Sequence, residues 1–362
     1  MKVQEVKLRN FRNLADQRIN LDPSLNLLFG PNGSGKTNLC EAIAFVSTGD
    51  NLKGNRQGEL IKWDSSFALV QLMTSKEDRI VVYLKKGDGK EVKVNSKTKR
   101  QSDLNNLIPV HTFVPEDLYI SKGSPRRRRE TLNYQISSLD HDYKKSLSDY
   151  RAELKKKNTL LKKEEINEEF LEVLGQRLVE LGAKLVVKRK GYLEKLNDLL
   201  PEYYRKFVSG GGKLSLDYGE DLPAEVTEKN VRELLEERME SHREKELERG
   251  TSVVGPHRDK FRYRLDGRDL RKYGSQGELR TAVISTYLAY LDLYEAEFED
   301  WPILILDDIL SELDRDRGES FLENLPEEPQ VIMTTATRNP AFTKLSGDFS
   351  VFEVEEGRVE VR

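Results

Sequence analysis

The sequence contains one cysteine, Cys40. A single thiol can form no disulfide within the chain, so a disulfide-stapled scaffold is excluded and a reducing compartment is expected. No run approaches the ~18 consecutive apolar residues of a membrane-spanning helix. The first residues, Met1-Lys2-Val3-Gln4-Glu5, lack the apolar core of a signal peptide. The protein is therefore expected to be soluble and cytoplasmic, with no membrane partner. Excess charge of one sign is also missing. The 60 Lys and Arg are balanced by 63 Asp and Glu, a net charge of −3, so no global basic field marks a nucleic-acid binder. There is no internal repeat and no low-complexity tail.

What is present is charge of both signs, 34% of 362 residues, a composition common where ion-pair networks resist heat. The hydrophobic share of 37% is modest but sufficient for a core, and the length allows two domains or one large one.

The most informative stretch is Gly30-Pro31-Asn32-Gly33-Ser34-Gly35-Lys36-Thr37, which fits the P-loop spacing G-x-x-x-x-G-K-[S/T]. Leu25 to Phe29 before it is apolar enough for a buried strand. Asn38 to Ser47 after it reads as a helix with Leu39, Ala42, Ile43 and Val46 on one face. Strand, glycine loop and helix are the context the motif needs. The glycines let several N–H groups converge on a phosphate chain, and the helix N-terminus adds its dipole. Lys36 is expected to bridge the β- and γ-phosphates of ATP, and Thr37 to offer its hydroxyl to Mg²⁺. Cys40, just inside this helix, is expected to be a packing residue.

Along the chain, residues 2–8 alternate as a half-buried strand, and residues 66–73, 79–84 and 91–94 read as an antiparallel element with a turn at 85–90. From Lys122 to Lys157, eleven Lys or Arg stand against five Asp or Glu, the strongest basic concentration in the chain. Lys122 and Arg126, Arg127, Arg128 and Arg129 are the candidate DNA contacts. Four adjacent arginines cannot share one solvent stripe, which favours a phosphate-binding surface over a merely solvated helix face. Two runs of helical period follow, Tyr143 to Leu154 and Leu171 to Leu185. Pro201 is expected to stop the second near Leu200. A charged helix is expected over 228–249, and another from Ser275 through Tyr294.

Ile303 to Leu306 is an apolar strand ending in Asp307-Asp308, the form of a Walker B segment. Asp307 is expected to reach the Mg²⁺ that Thr37 holds, and Asp308 to orient or deprotonate the attacking water. Ser275-Gln276-Gly277-Glu278 can cap a helix. In ABC-type ATPases the same arrangement aims a helix N-terminus at the γ-phosphate held by a second subunit. Ser311 to Asp314 follows the acidic strand as a D-loop does. These motifs together, in this order, are far more specific than any one of them.

The chain resembles the RecF family, bacterial repair ATPases related to SMC proteins. The matching pieces are Asn10-Phe11-Arg12-Asn13, the P-loop, Glu59-Leu60-Ile61, Phe113 to Leu118, Lys122-Gly123-Ser124-Pro125 with the arginines after it, Gly255-Pro256-His257-Arg258-Asp259, Ser275 to Glu278, and Leu306 through Asp314. Lys260 departs from the pattern, standing where a second acidic residue often follows. The resemblance implies an α/β fold: a P-loop ABC-type ATPase head, residues 1–120 and 296–362, with an inserted mainly helical lobe, residues 121–295, carrying Ser275. It implies an ATP-dependent homodimer with Gln276, Gly277 and Glu278 beside Ser275 in trans, and slow hydrolysis. It also implies binding to double-stranded DNA or ss/dsDNA junctions, and cooperation with RecR and RecO in loading RecA. By the same matching, Arg12, Asn13 and Asn38 lie near the nucleotide. An SMC-like chromosome organiser would need long heptad arms, which are missing. An OLD-type ATPase–nuclease would need more chain than the stretch after Asp314 provides.

Overall fold

The computed structural model describes residues 1–49, 57–87, 89–119, 123–208, 210–219, 221–336 and 349–362, without the side chains of 102, 105 and 106. In chain order the elements are β1 (Val3–Arg9), β2 (Gln17–Asn20), β3 (Leu25–Phe29), α1 (Lys36–Thr48), β4 (Phe67–Thr74), β5 (Arg79–Lys85), β6 (Gly89–Val94), β7 (Lys97–Thr98), α2 (Gln101–Leu107) and β8 (Val110–Phe113). Next come α3 (Pro125–Leu139), α4 (His141–Leu160), α5 (Glu168–Arg205), β9 (Leu214–Tyr218), α6 (Glu228–Ser241), α7 (Arg243–Arg249), β10 (Phe261–Leu265), β11 (Arg268–Asp269), α8 (Leu270–Tyr273) and α9 (Gln276–Phe298). The last are β12 (Ile303–Asp307), α10 (Arg315–Glu323), β13 (Val331–Thr335), β14 (Phe349–Glu355) and β15 (Arg358–Val361). The chain forms two compact units, one of Met1–Asp117 with Phe298–Arg362, the other of Leu118–Glu297.

The first unit holds two six-stranded sheets. One is antiparallel, in the order β2-β1-β4-β5-β6-β7. Its register sets Leu8 opposite Val70 and Val6 opposite Leu72, so the apolar alternation of each strand lands on one face. The other runs β15-β14-β3-β13-β12-β8, with β14, β3, β13, β12 and β8 mutually parallel and β15 antiparallel at the edge. Every residue of β12 and β13 is buried, as expected of parallel strands covered on both faces. Helix α1 buries Leu39, Cys40, Ala42, Ile43 and Phe45 in the core that contains both sheets. Burial pushes the Cys40 thiol up, which suits packing rather than reactivity.

The second unit is mainly helical, with a small antiparallel sheet in the order β11-β10-β9. Helices α4 and α5 pack as a hairpin joined at 161–167. The structure corrects the expectation that Pro201 ends the second helix. Helix α5 runs unbroken for 38 residues, to Arg205, about 57 Å at 1.5 Å per residue. Pro201 falls in its last turns, where few ladder bonds are at stake. Buried Leu200, Tyr203 and Tyr204 carry the apolar stripe past it. The charged helix over 228–249 is two helices, α6 and α7, parted at His242.

This unit's interior is partly polar. The buried Arg189 donates to Tyr143 Oη, Pro256 O, Asp259 Oδ2 and Asn133 Oδ1, each at 2.9 Å. Tyr150 Oη lies 2.7 Å from His257 Nδ1. The Gly-Pro-His-Arg-Asp turn is thereby tied to α3, α4 and α5. A buried guanidinium is tolerable when its donors are satisfied in this way.

Candidate nucleotide site

The P-loop joins the C-terminal end of β3 to the N-terminus of α1 and forms the floor of the site. Its glycines are required by position. A Cβ on Gly30 would lie 2.1 Å from the Val354 carbonyl oxygen, and Gly33 and Gly35 have φ of 81° and 119°. Lys36 Nζ donates to the carbonyls of Gly30 and Pro31 at 2.7 and 2.9 Å, closing the loop on itself. Burial pulls the pKa of this ammonium down, opposed by the charges of Asp308 and Asp307. Ser34 Oγ is buried with no hydrogen-bond partner among the described residues.

The acidic strand meets this loop directly. Asp307, at the end of β12, accepts from Thr37 Oγ1 at 3.0 Å and from Thr334 Oγ1 at 2.7 Å. Adjacent parallel strands bring this about: β12 and β13 pair Asp307 with Thr334. The Thr37 hydroxyl and the Asp307 carboxylate are the hard oxygen donors, at one point, that Mg²⁺ prefers alongside phosphate and water. The residues fit that ion.

Asp308 leaves the strand with φ of 51°, a left-handed conformation uncommon outside glycine. Its N–H donates to Thr334 Oγ1 at 2.9 Å. Its Oδ1 is buried without a hydrogen-bond partner among the described residues. Burial, reinforced by the charge of Asp307, holds its pKa above the usual carboxylate value, against the effect of Ser311. A carboxylate of this kind is a better proton acceptor than an ordinary aspartate.

The segment before β2 supports the loop. Asn13 Nδ2 donates to Gly33 O at 3.2 Å, and Asn38 Nδ2 donates to Asn13 Oδ1 at 2.6 Å. Arg12 serves differently. Its Nε and Nη2 hold the two oxygens of Glu41 at 2.8 and 3.0 Å, with Glu41 fully buried in α1. Sequence reading missed Glu41, Thr334 and Gly357. Gly357 N donates to Ser34 O at 2.8 Å from the turn between β14 and β15. The Glu356-Gly357 pair was the available signal for that turn.

Of the other candidate residues, Ser275 and Glu278 form a reciprocal cap on α9. Ser275 N donates to Glu278 Oε2 at 2.7 Å and Glu278 N to Ser275 Oγ at 3.2 Å. Ser275 and Gln276 are exposed, Gly277 half-buried. Ser311 Oγ donates to Asp308 O at 2.7 Å, and Asp314 caps α10 by accepting from Arg317 N at 3.0 Å. The four arginines divide. Arg126 is exposed and pairs with Glu130, and Arg127 is half-buried. Arg128 turns inward and donates to Gly123 O, and Arg129 donates to Asp259 O. Lys122 lies outside the described residues.

A P-loop and an acidic strand end on one parallel sheet, flanked by an antiparallel sheet, define an ABC-type ATPase head. Comparison with known proteins is consistent with this. A family model described as the RecF/RecN/SMC N terminal domain matches residues 2–360. The DNA replication and repair protein RecF of Clostridium acetobutylicum is 34% identical, with 99% of each chain covered. That of Halothermothrix orenii is 33% identical, covering 99% of this chain and 98% of the relative. A solved structure of the recombination mediator protein RecF with ATP superposes with a TM-score of 0.88 at 33% identity, over 100% of this chain and 97% of the other. A solved SMC head superposes with a TM-score of 0.60 at 15% identity, over 100% and 98%, a likeness of fold alone. The chain belongs to the RecF family of DNA replication and repair proteins.

Proposed function

We propose that this protein is an ATP-operated clamp on DNA in recombinational repair, a slow ATPase whose product is a conformational state. The observation that carries the reading is the meeting of Thr37 and Asp307 at 3.0 Å, with Asp308 beside them. Lys36 and the loop N–H groups would bind the triphosphate, with Thr37 and Asp307 holding Mg²⁺. The ion supplies charge neutralisation to the phosphates when bound. Asp308 would take a proton from the attacking water as that oxygen bonds to the γ-phosphorus and the β–γ bridge breaks, releasing ADP and phosphate. The exposed cap at Ser275 would read the same γ-phosphate from a second copy, so the dimer would persist only while ATP is intact.

Solved relatives described as acting in the RecFOR pathway support extending the reading to double-stranded DNA or ss/dsDNA junctions, with RecR and RecO as partners in loading RecA. The site of action is then the cytoplasm. Arg126, exposed on α3, and the half-buried Arg127 beside it are suited to meet DNA.

Fluorescence anisotropy with a labelled duplex, a junction and a single strand, in Mg²⁺ with ATP or ADP, tests this. Tight binding to duplex or junction with ATP, and weak binding with ADP, is expected. Equal binding in both states would refute the clamp. Nicking of the DNA in Mg²⁺ or Mn²⁺ would point to a nuclease instead.

A further inference from the structure

The helical unit contains a cavity of about 400 Å³ whose rim carries Arg128, Lys260, Arg262, Arg271 and Lys272 against one carboxylate, Asp269. Three elements converge there. Arg128 comes from the first turn of α3, Lys260 and Arg262 from the start of β10, and Arg271 and Lys272 from α8, which leads into Ser275. Phe261 and Tyr263, both buried, form part of the lining.

The cavity concentrates positive charge at a cost to the fold. Burial and the nearby Arg271 and Arg262 all work against the charge on Arg128. Asp269, whose Oδ1 accepts from Arg271 N at 2.9 Å to cap α8, offsets part of this charge, one carboxylate against five cations. Lys260, Arg271 and Lys272 form no ion pair with a carboxylate among the described residues. Like charges gathered in a concavity with an apolar lining focus the field and favour an anion there. Three of the five cations are arginines, whose planar fork matches phosphate oxygens.

We propose that this pocket seats a phosphate of the DNA backbone, at a site separate from the P-loop. The proposal rests on the DNA-clamp reading and names the residues that carry it. A polymer is favoured over a free mononucleotide because the basic rim does not end at the cavity. Pro125 lines it, and Arg126 and Arg127 follow at once on α3, so a second backbone phosphate has cations to meet. Because α8 runs directly into the Ser275 cap, an occupied pocket also fixes the segment that precedes that cap.

The test uses the full-length chain in Mg²⁺ and ATP, with a labelled duplex bearing a single-stranded tail. Arg271→Glu/Lys272→Glu changes two exposed residues, so folding is preserved, and Lys184→Glu/Lys195→Glu, at two exposed positions of α5, is the charge-matched control. The double variant is expected to bind at least about tenfold more weakly than the control, with a log–log salt slope shallower by about two. Arg271→Lys/Lys272→Arg is expected to stay within about threefold of the unaltered chain. If the unaltered chain binds DNA and the double variant matches the control in affinity and slope, the pocket is not a DNA site while the clamp reading stands. If the unaltered chain does not bind DNA, the clamp reading fails and takes the pocket with it. If the double variant keeps its DNA affinity but loses ATP-dependent dimerisation, the pocket serves nucleotide and the assignment to DNA is wrong.

Discussion

At the scale of single residues, Asp308 carries opposed demands. Its carboxylate is partly buried beside Asp307, and its folded pKa is raised. A raised folded pKa means the ionised form is less favourable in the fold than in the unfolded chain. That penalty is fully present above the folded pKa and vanishes as pH falls below the unfolded value. Asp308→Asn is therefore expected to raise the melting temperature at neutral pH, with the gain shrinking in acid. ATP turnover should fall about a hundredfold, the contribution typical of a general base, while ATP affinity is retained. Thermal melts at two pH values and a phosphate-release assay measure this; turnover unchanged by the substitution would remove Asp308 from the chemistry. Arg12 and Glu41 pose a different case. Glu41 is fully buried and Arg12 partly so, so Arg12→Ala leaves an uncompensated charge in the core. A loss of about 3–5 kcal/mol is expected in urea unfolding. Arg12→Ala/Glu41→Leu should recover most of it, and failure to recover would show that the guanidinium contributes by more than neutralising Glu41.

At the scale of elements, the site is a junction of four strand ends and one loop. The P-loop itself is buttressed by the turn between β14 and β15. Gly357 has φ of 80°, and a Cβ there would lie 2.1 Å from the Asn13 carbonyl oxygen. Gly357→Ala is expected to cost about 1–3 kcal/mol and to weaken ATP binding several-fold, because the turn that holds Ser34 O must move away from Asn13. Calorimetric titration with ATP measures it; unaltered affinity would mean the hairpin is dispensable to the loop. These elements differ in how far the sequence disclosed them. Period-2 alternation and buried runs revealed β1, β3, β4, β5 and β12, because a strand's period is local. The P-loop helix was equally plain. Thr334, Glu41 and Gly357 were not legible as site residues. Each acts through a partner distant in the chain, and no local pattern records that Thr334 lies opposite Asp307. The end of α5 was misjudged for a related reason: proline's local cost is real, but packing of Tyr203 and Tyr204 outweighs it. The arginine run told its charge but not its division, since the carbonyls that take Arg128 and Arg129 inward, Gly123 O and Asp259 O, are set by the fold and not by the run itself.

At the scale of the whole molecule, the proposed clamp uses chemistry at Asp308 as a timer and assembly as its output. The chain offers a P-loop and, at Ser275, an exposed capped helix end. In isolation that cap is ordinary helix chemistry worth about 1 kcal/mol to α9. Its proposed role appears only when two copies close on two nucleotides. Solution mass by light scattering, in Mg²⁺ with ATP or ADP, for the unaltered chain beside Ser275→Arg, tests this most directly. The account predicts a mass that doubles with ATP only, and a monomer under all conditions for the variant. A monomer in every condition, or a dimer indifferent to nucleotide and to Ser275→Arg, would contradict it.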